Sequence, residues 1–549
     1  MPYFIFVTGG VMSSLGKGIA ASSIGALLQA RGFSIRMKKL DPYINVDPGT
    51  MSPFKHGEVF VMEDGCEADL DFGHYERFTG ITCSASDSMT TGKIYETVLN
   101  KERRGDYLGS DIQVIPHITT EIKNFITAGH EAVDFTICEI GGTVGDIEGL
   151  PYIEALRQLS IELGKSRTIC VHLTFLPFVK TAGELKTKPT QHSVKLLQSM
   201  GVQPDILMCR SECELPDEIK DKLSMFCNIE KPNVITALDA DSIYLIPEQH
   251  HIAGLDRQIC THFGLRCDDE DKVDNLVKTT WGSLKKSITN PKSSVRIAVV
   301  GKYTKLKDAY ISLTQALIHG GIANDAKVEI DWLDSEWPAD ELLSSLSKVS
   351  GILVPGGFSS RGTAGKMLAI KYARENNVTF LGICLGLQLA VIEACRNVLG
   401  IETATSREFS EEGTLVVDFM EWWSSGASIE LRTMDGDKGG TMRLGSYRCH
   451  ITEGSLAHKI YEATTTSERH RHRYEINLKE YRDLFDRAGF AVSGISADGL
   501  LPEIMELKDH HFFVGTQAHP EFKSTPFAPH PLFKAFIKAA ATNNQPKLT

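Results

Sequence analysis

Apolar runs of strand length alternate with apolar stretches of helical length from the first residues onward. Residues 4–7 read as a strand, residues 18–28 as a helix packed on a sheet, and Gly32 as that helix's C-terminal stop. Residues 33–40 read as the next strand, and residues 135–138 as another that ends in Glu139 and Gly141-Gly142. Strand, helix, strand in this order predicts a mostly parallel sheet. The pattern weakens over residues 268–294, where the charge cluster 268–272 and the turn-rich stretch 290–294 leave room for one helix. It then restarts, with strands at 295–301, 327–330, 351–354 and 378–382 and a helix at 312–319. The expected architecture is α/β: two doubly wound, mostly parallel-sheet domains, residues 1–267 and 295–549, joined by a polar linker.

Composition narrows the function classes. The chain has 549 residues, 42% hydrophobic and 23% charged, as a soluble globular protein of several domains does. With no apolar run near about 18 residues, no membrane span is expected. The opening residues lack the basic and apolar regions of a signal peptide, so the chain is expected to begin in its fold. A formal charge of −12 argues against general nucleic-acid binding, yet a local Lys/Arg cluster still suffices for a small phosphorylated ligand. The 12 cysteines are scattered, without a CxxC pair, which fits a reducing cytoplasm.

Between the first strand and helix lies Gly9-Gly10-Val11-Met12-Ser13-Ser14-Leu15-Gly16-Lys17-Gly18. Glycines let backbone N–H groups and the helix N-terminus face an anion, and Lys17 adds a positive charge. The loop departs from GxxxxGK[ST]: Val11 replaces the first glycine, and Gly18 replaces the hydroxyl that holds Mg²⁺. A metal would then need other hard oxygens, for which Asp71 and the strand-end Glu139 are the candidates. Alone, each element also suits an ordinary turn or strand-end acid. A second basic stretch, Lys186-Thr187-Lys188-Pro189-Thr190-Gln191 with Lys222 downstream, suits either another triphosphate or a solvated loop.

In the C-terminal half, Gly382-Ile383-Cys384-Leu385-Gly386 follows a strand and precedes a helical run. This is the G-x-nucleophile-x-G elbow with cysteine as nucleophile, and a helix N-terminus favours its thiolate. The N–H of Leu385 is one expected oxyanion donor, and Gly357 in Pro355-Gly356-Gly357-Phe358 is the candidate for the other. His519-Pro520-Glu521 supplies a base and an acid to orient it. Arg469, Arg471 and Arg473 offer forks for a substrate carboxylate.

Together these segments resemble the CTP synthase family along almost the whole chain, the C-terminal half resembling a class I glutamine amidotransferase. The stretches 39–45, 56–60, 101–109, 139–148 and 186–191 carry the resemblance beyond the elbow. It implies that ATP phosphorylates the 4-oxygen of UTP and that ammonia from glutamine replaces it. Ser14, Leu15, Gly16, Lys17, Gly18, Ile19, Lys39, Asp71 and Glu139 match the family's ATP–Mg²⁺ positions, with Asp71 and Glu139 on the metal. Ser13, Asp146, Ile147, Glu148, Lys186, Thr187, Lys188, Pro189, Thr190, Gln191 and Lys222 match positions for UTP or the inhibitory product CTP. Cys384, His519 and Glu521 match the glutaminase triad, and Gly357, Leu385, Gln388, Glu408 and Arg473 the glutamine-binding positions. His56 and Val59 fall where the family lines its ammonia passage. The resemblance further implies activation by GTP, a cytoplasmic homotetramer and assembly into filaments.

Three positions depart from the family: Ala518, where an aromatic residue is usual, and Ser359 and Ala364 in the lid that takes part in GTP activation. The competing readings are another glutamine-dependent, ATP-using amidotransferase, such as a GMP synthetase-like enzyme, and a catalytically silent nucleotide-responsive scaffold.

Overall fold

The first apolar run forms β1 (Tyr3–Gly9), whose residues 4–7 are fully buried because helices cover both faces of its sheet. The structure, a computed structural model, describes residues 2–129, 132–266, 270–302, 304, 306–419, 422–424, 429–431 and 442–542. Its contacts divide the chain into two units, residues 1–47 with 71–286, and residues 48–70 with 287–549.

In the first unit, β1 is followed by β2 (Ile35–Asp41), β3 (Ser88–Thr90), β4 (Phe135–Ile140), β5 (Thr168–Phe175), β6 (Ile206–Ser211) and β7 (Val234–Leu238). They form one sheet in the order β7-β6-β5-β1-β4-β2-β3, parallel throughout. The expected first helix is α1 (Lys17–Ala30), and Gly32 beyond it has φ 89°. All strands end at one edge of the sheet, which places the loop after β1, Asp41, Glu139 and Arg210 together, where open α/β sheets bind ligands. Most of the expected linker is α2 (Glu270–Thr289), which buries Val273, Val277, Trp281 and Leu284 on one stripe. Trp281 packs on Phe78 of the same unit at 5.4 Å between ring centroids. Residues 268 and 269 of that linker, and 543–549 of the expected C-terminal domain, lie outside the described residues.

The second unit holds β8 (Ser293–Gly301), β9 (Ala326–Asp334), β10 (Gly351–Val354), β11 (Thr379–Ile383), β12 (Arg443–Ile451), β13 (Thr465–His472), β14 (Phe490–Ser496), β15 (Pro502–Leu507) and β16 (Phe513–Thr516). They form one sheet in the order β9-β8-β10-β11-β16-β15-β14-β12-β13. The five strands from β9 to β16 pair in parallel and the remaining pairs are antiparallel, so this sheet is mixed. The antiparallel part lies in a region where the sequence pattern marked no element sequence. Helices α3 (Ile311–Ala323), α4 (Thr363–Glu375) and α5 (Leu385–Asn397) follow β8, β10 and β11.

Residues 48–70 interrupt the first unit in sequence and pack within the second. Their strands Val59–Val61 and Glu67–Asp69 form a hairpin against β13. Arg469 Nε lies 3.1 Å from Glu63 Oε1 and Arg471 Nε 2.8 Å from Glu67 Oε1, while Phe60 meets Phe522 edge-on at 5.2 Å. These ion pairs join residues some 400 positions apart, which local periodicity cannot register.

Candidate active sites

In the first unit, residues 10–16 turn from β1 into α1, and Lys17 stands at the first helical position. Its Nζ donates to Gly142 O at 2.7 Å, and burial lowers its pKa. Lys39 on β2 ion-pairs with Asp71, at the start of helix Asp71–Thr79, and lies 3.4 Å from Glu139 at the end of β4. Tyr75 donates to Glu139. Burial first, and then the charge of Asp71, push the Glu139 carboxyl up to about 7. A Cβ on Gly18 would lie 1.9 Å from Asp71 Oδ1. The side chain that this loop omits after its lysine is therefore excluded by the carboxylate that reaches in from residue 71.

Arg210, at the end of β6, was not marked by any motif. Its Nη1 donates to Ser14 O at 3.3 Å and Leu15 O at 3.1 Å, and its Nε to Asp239 Oδ1 at 2.8 Å. With Gly16, Ile19, Met208 and His250 it lines a cavity of about 270 Å³ beside the loop. The available signal was an arginine closing an apolar strand, at the edge where ligands bind.

The residues expected at UTP divide into two kinds. Ser13, Asp146, Ile147, Glu148, Lys188 and Lys222 are exposed, and Lys186, paired with Glu184, and Pro189 are half-buried. Thr187, Thr190 and Gln191 are buried: Gln191 Nε2 donates to Thr187 Oγ1 at 3.0 Å, and Thr190 Oγ1 to Phe175 O at 3.1 Å. These three brace the turn into helix Lys188–Ser199 with their side chains. Lys222, on helix Asp217–Cys227, acts electrostatically on the same Glu184 that Lys186 pairs with, so the two lysines share one region.

In the second unit, Cys384 sits between β11 and α5 at φ 52° and ψ −106°, a strained backbone for a residue with a side chain. Both elbow glycines are required: a Cβ on Gly382 would meet Gly386 C at 2.8 Å, and one on Gly386 would meet Val354 O at 2.1 Å. His519 Nδ1 lies 2.7 Å from Glu521 Oε1. Burial alone would lower the His519 pKa, but the charges of Glu521 and Cys384 outweigh it and raise it to about 10. A protonated imidazole beside Cys384 is thereby favoured at neutral pH. The ring stacks on Phe522, at 5.4 Å between centroids and 22° between planes, beside the small Ala518.

Gln388 Nε2 donates to Tyr474 O at 2.8 Å and to Gln517 Oε1 at 3.1 Å, and Gln517 Nε2 reaches Cys384 Sγ at 3.6 Å. Gln517, two residues before His519, is a buried neighbour of Cys384 that the motif does not mark. Glu408 accepts from Ser359 N in the lid, and burial raises its pKa. Gly357, Arg473, His519 and Glu521 line a cavity of about 390 Å³ that Val59 also borders. His56 is exposed and is not among the residues lining it.

Comparison with known proteins gives the following. The family described as CTP synthase N-terminus matches residues 3–265, and that described as glutamine amidotransferase class-I matches residues 305–539. A CTP synthase of Parvibaculum lavamentivorans is 54% identical over 99% of this chain and 100% of that protein. One of Maricaulis maris is 54% identical over 98% and 99%. The glutaminase domain of the Trypanosoma brucei enzyme with bound acivicin is 39% identical over 46% of this chain and 95% of that one, at a TM-score of 0.41. Full-length identity at this level, across both halves, establishes the lineage: the chain is a member of the CTP synthase family.

Proposed function

We propose that the chain is a glutamine-hydrolysing CTP synthase, which uses ATP to convert UTP to CTP with ammonia cut from glutamine. The observation that supports this is the presence in one family member of two side-chain clusters: the elbow cysteine with its His–Glu pair, and Lys17, Lys39, Asp71 and Glu139 at the ligand edge of a parallel sheet.

Cys384 Sγ attacks the carboxamide carbon of glutamine, and the N–H groups of Leu385 and Gly357 receive the charge that forms on oxygen. His519 gives its proton to the departing ammonia and then activates the water that releases glutamate, while Glu521 holds the imidazole in place. Gln388, Glu408 and Arg473 orient the substrate. Ammonia leaves past Val59 and the 56–59 segment. In the first unit, residues 14–19 and Arg210 seat ATP, and Lys17 and Lys39 neutralise the transferring phosphoryl group as the 4-oxygen of UTP attacks it. Ser13, residues 146–148, Lys186 to Gln191 and Lys222 hold UTP or CTP. Ammonia then adds at C4 and phosphate departs.

Asp71 and Glu139 fit a magnesium ion, which when bound neutralises charge on the phosphates. Both are hard carboxylates, and the charge of Asp71 adds to burial in raising the Glu139 pKa, an effect that a divalent cation would relieve. Asp71 and Glu139 would hold the ion together with oxygens of the bound phosphates. A consequence is measurable. Glu139 is largely protonated below about pH 7 and must ionise to hold the metal, so binding of Mg–ATP near neutral pH releases a proton. Titration calorimetry in buffers of different ionisation enthalpy should show this release, and Glu139→Gln should abolish it.

GTP activation, CTP inhibition and a cytoplasmic, filament-forming homotetramer accompany this reading by family membership. No described helix is long and apolar enough to cross a membrane. The test of the reaction is acceptor choice. With ATP, Mg²⁺ and ammonium, the protein should aminate UTP and leave xanthosine monophosphate untouched. Amination of the latter alone would move the chain to the GMP synthetase reading.

A further inference from the structure

The loop after β10, Pro355-Gly356-Gly357-Phe358, is held from its two ends by lysines to which no role has been assigned. Lys366, on α4, is 1% exposed, and its Nζ donates to Pro355 O at 3.3 Å. Lys302, just beyond β8, is 5% exposed and donates to Phe358 O and, at 3.2 Å, to Ser359 Oγ. Between these clamped carbonyls the loop touches the catalytic pair. A Cβ on Gly356 would lie 2.8 Å from His519 Cε1 and 3.5 Å from Cys384 Cβ, and one on Gly357 would lie 3.6 Å from Lys366 Nζ. The hydrogen bond to Pro355 O is the one that Lys366 makes among the described residues, and no carboxylate stands within ion-pair distance of it.

An ammonium buried without a carboxylate partner is costly, and a core position of this kind would be filled more stably by methionine or leucine. Burial first, and then the charge of Lys302, lower the Lys366 pKa to about 7, with Cys384 and Glu408 acting in the opposite sense. Such a residue suggests a purpose other than packing. A Gly-Gly peptide turns over easily because neither residue has a Cβ, and in turning it carries its N–H away from an oxyanion. Donors on the carbonyls at both ends deny the loop that freedom.

We propose that Lys366, with Lys302, is a positioning residue for glutamine hydrolysis, which holds the 355–358 loop with the Gly357 N–H directed at the substrate's developing oxyanion. The proposal rests on the reading of Cys384 as the glutaminase nucleophile. It separates three measurable quantities on the full-length protein. In Lys366→Met, kcat for glutamine hydrolysis should fall about 10- to 100-fold, as for an impaired oxyanion donor. KM should stay within about threefold, because the donor acts in the transition state. Alkylation of Cys384 by iodoacetamide should keep its rate, since that reaction forms no oxyanion. Lys366→Arg, which retains a donor, should recover most of kcat. An unchanged kcat in Lys366→Met would overturn the proposal. So would alkylation falling in step with kcat, or an arginine variant as slow as the methionine one. If Lys366→Met does not fold, Lys302→Met must show the same division between kcat and alkylation, and its absence there overturns the proposal equally. Should the wild type neither hydrolyse glutamine nor be alkylated at Cys384, the nucleophile assignment fails instead.

Discussion

Cys384→Ala is expected to abolish CTP formation from glutamine while leaving CTP formation from ammonium intact. Loss of the nucleophile removes the acyl-enzyme route altogether, and the expected fall in glutamine hydrolysis is at least about 10⁴-fold. The substitution is conservative where it stands. Alanine keeps the Cβ at φ 52°, and the glycines at 382 and 386 that permit the turn are untouched. Ammonium supplied from solution would bypass this unit, leaving the proposed ATP and UTP sites of the other unaltered. Product measured from each nitrogen source therefore distinguishes a damaged protein from a disconnected one. Use of glutamine by the variant would show that the elbow is not the glutaminase, and loss of both activities would show that the residue does more than cut glutamine.

The complementary variant is Lys17→Ala, which should lose CTP synthesis with either nitrogen source by about 10²- to 10³-fold, the usual cost of removing one charge-stabilising group from a transition state. Lys17 sits where α1 begins, is half-buried, and makes its hydrogen bond to Gly142 O from the same place that Glu139, Lys39 and Asp71 occupy. Removing it leaves two carboxylates facing incoming phosphates with one lysine fewer to offset them. Hydrolysis of glutamine should continue, because Cys384, His519 and Glu521, to which it is ascribed, belong to the other unit. Synthesis that survived the substitution would remove the glycine loop from the ATP site.

Legibility differed between the two sites for a physical reason. The elbow is a local object: a strand end, a sharp turn and a helix start within a few residues, with the His–Glu pair equally compact. The spacing of its residues is fixed within the turn, although Gly386 is also required by Val354 O on the neighbouring strand. The phosphate site is assembled from strand ends spread over the unit, and only its loop is local. Asp71 and Glu139 were named from the chemistry a metal requires, whereas Arg210 and Asp239 escaped notice because a single residue at a strand end has no pattern around it. Gln517 escaped because its role depends on Gln388 lying 3.1 Å away across the fold. Thr190 and Gln191 show a further limit, since the run rich in Lys and hydroxyls suits a ligand or a solvated loop, and only the fold reveals that these two side chains are buried and bonded within the chain.

From sequence alone came the α/β alternation, the first helix and its glycine stop, the elbow with its candidate cysteine and histidine, and the family. All of these rest on short-range geometry: helical and strand periodicity, the conformational reach of glycine, and fixed spacings within a turn. What only the tertiary structure decided was membership and proximity. It assigned residues 48–70 to the second unit, made the second sheet mixed, brought Asp71 into the space that Gly18 leaves, and put Lys302 and Lys366 on the carbonyls at the ends of the 355–358 loop. Ion pairs such as Arg469–Glu63 form between segments with no common period, so their partners are chosen by the packing of whole sheets and helices.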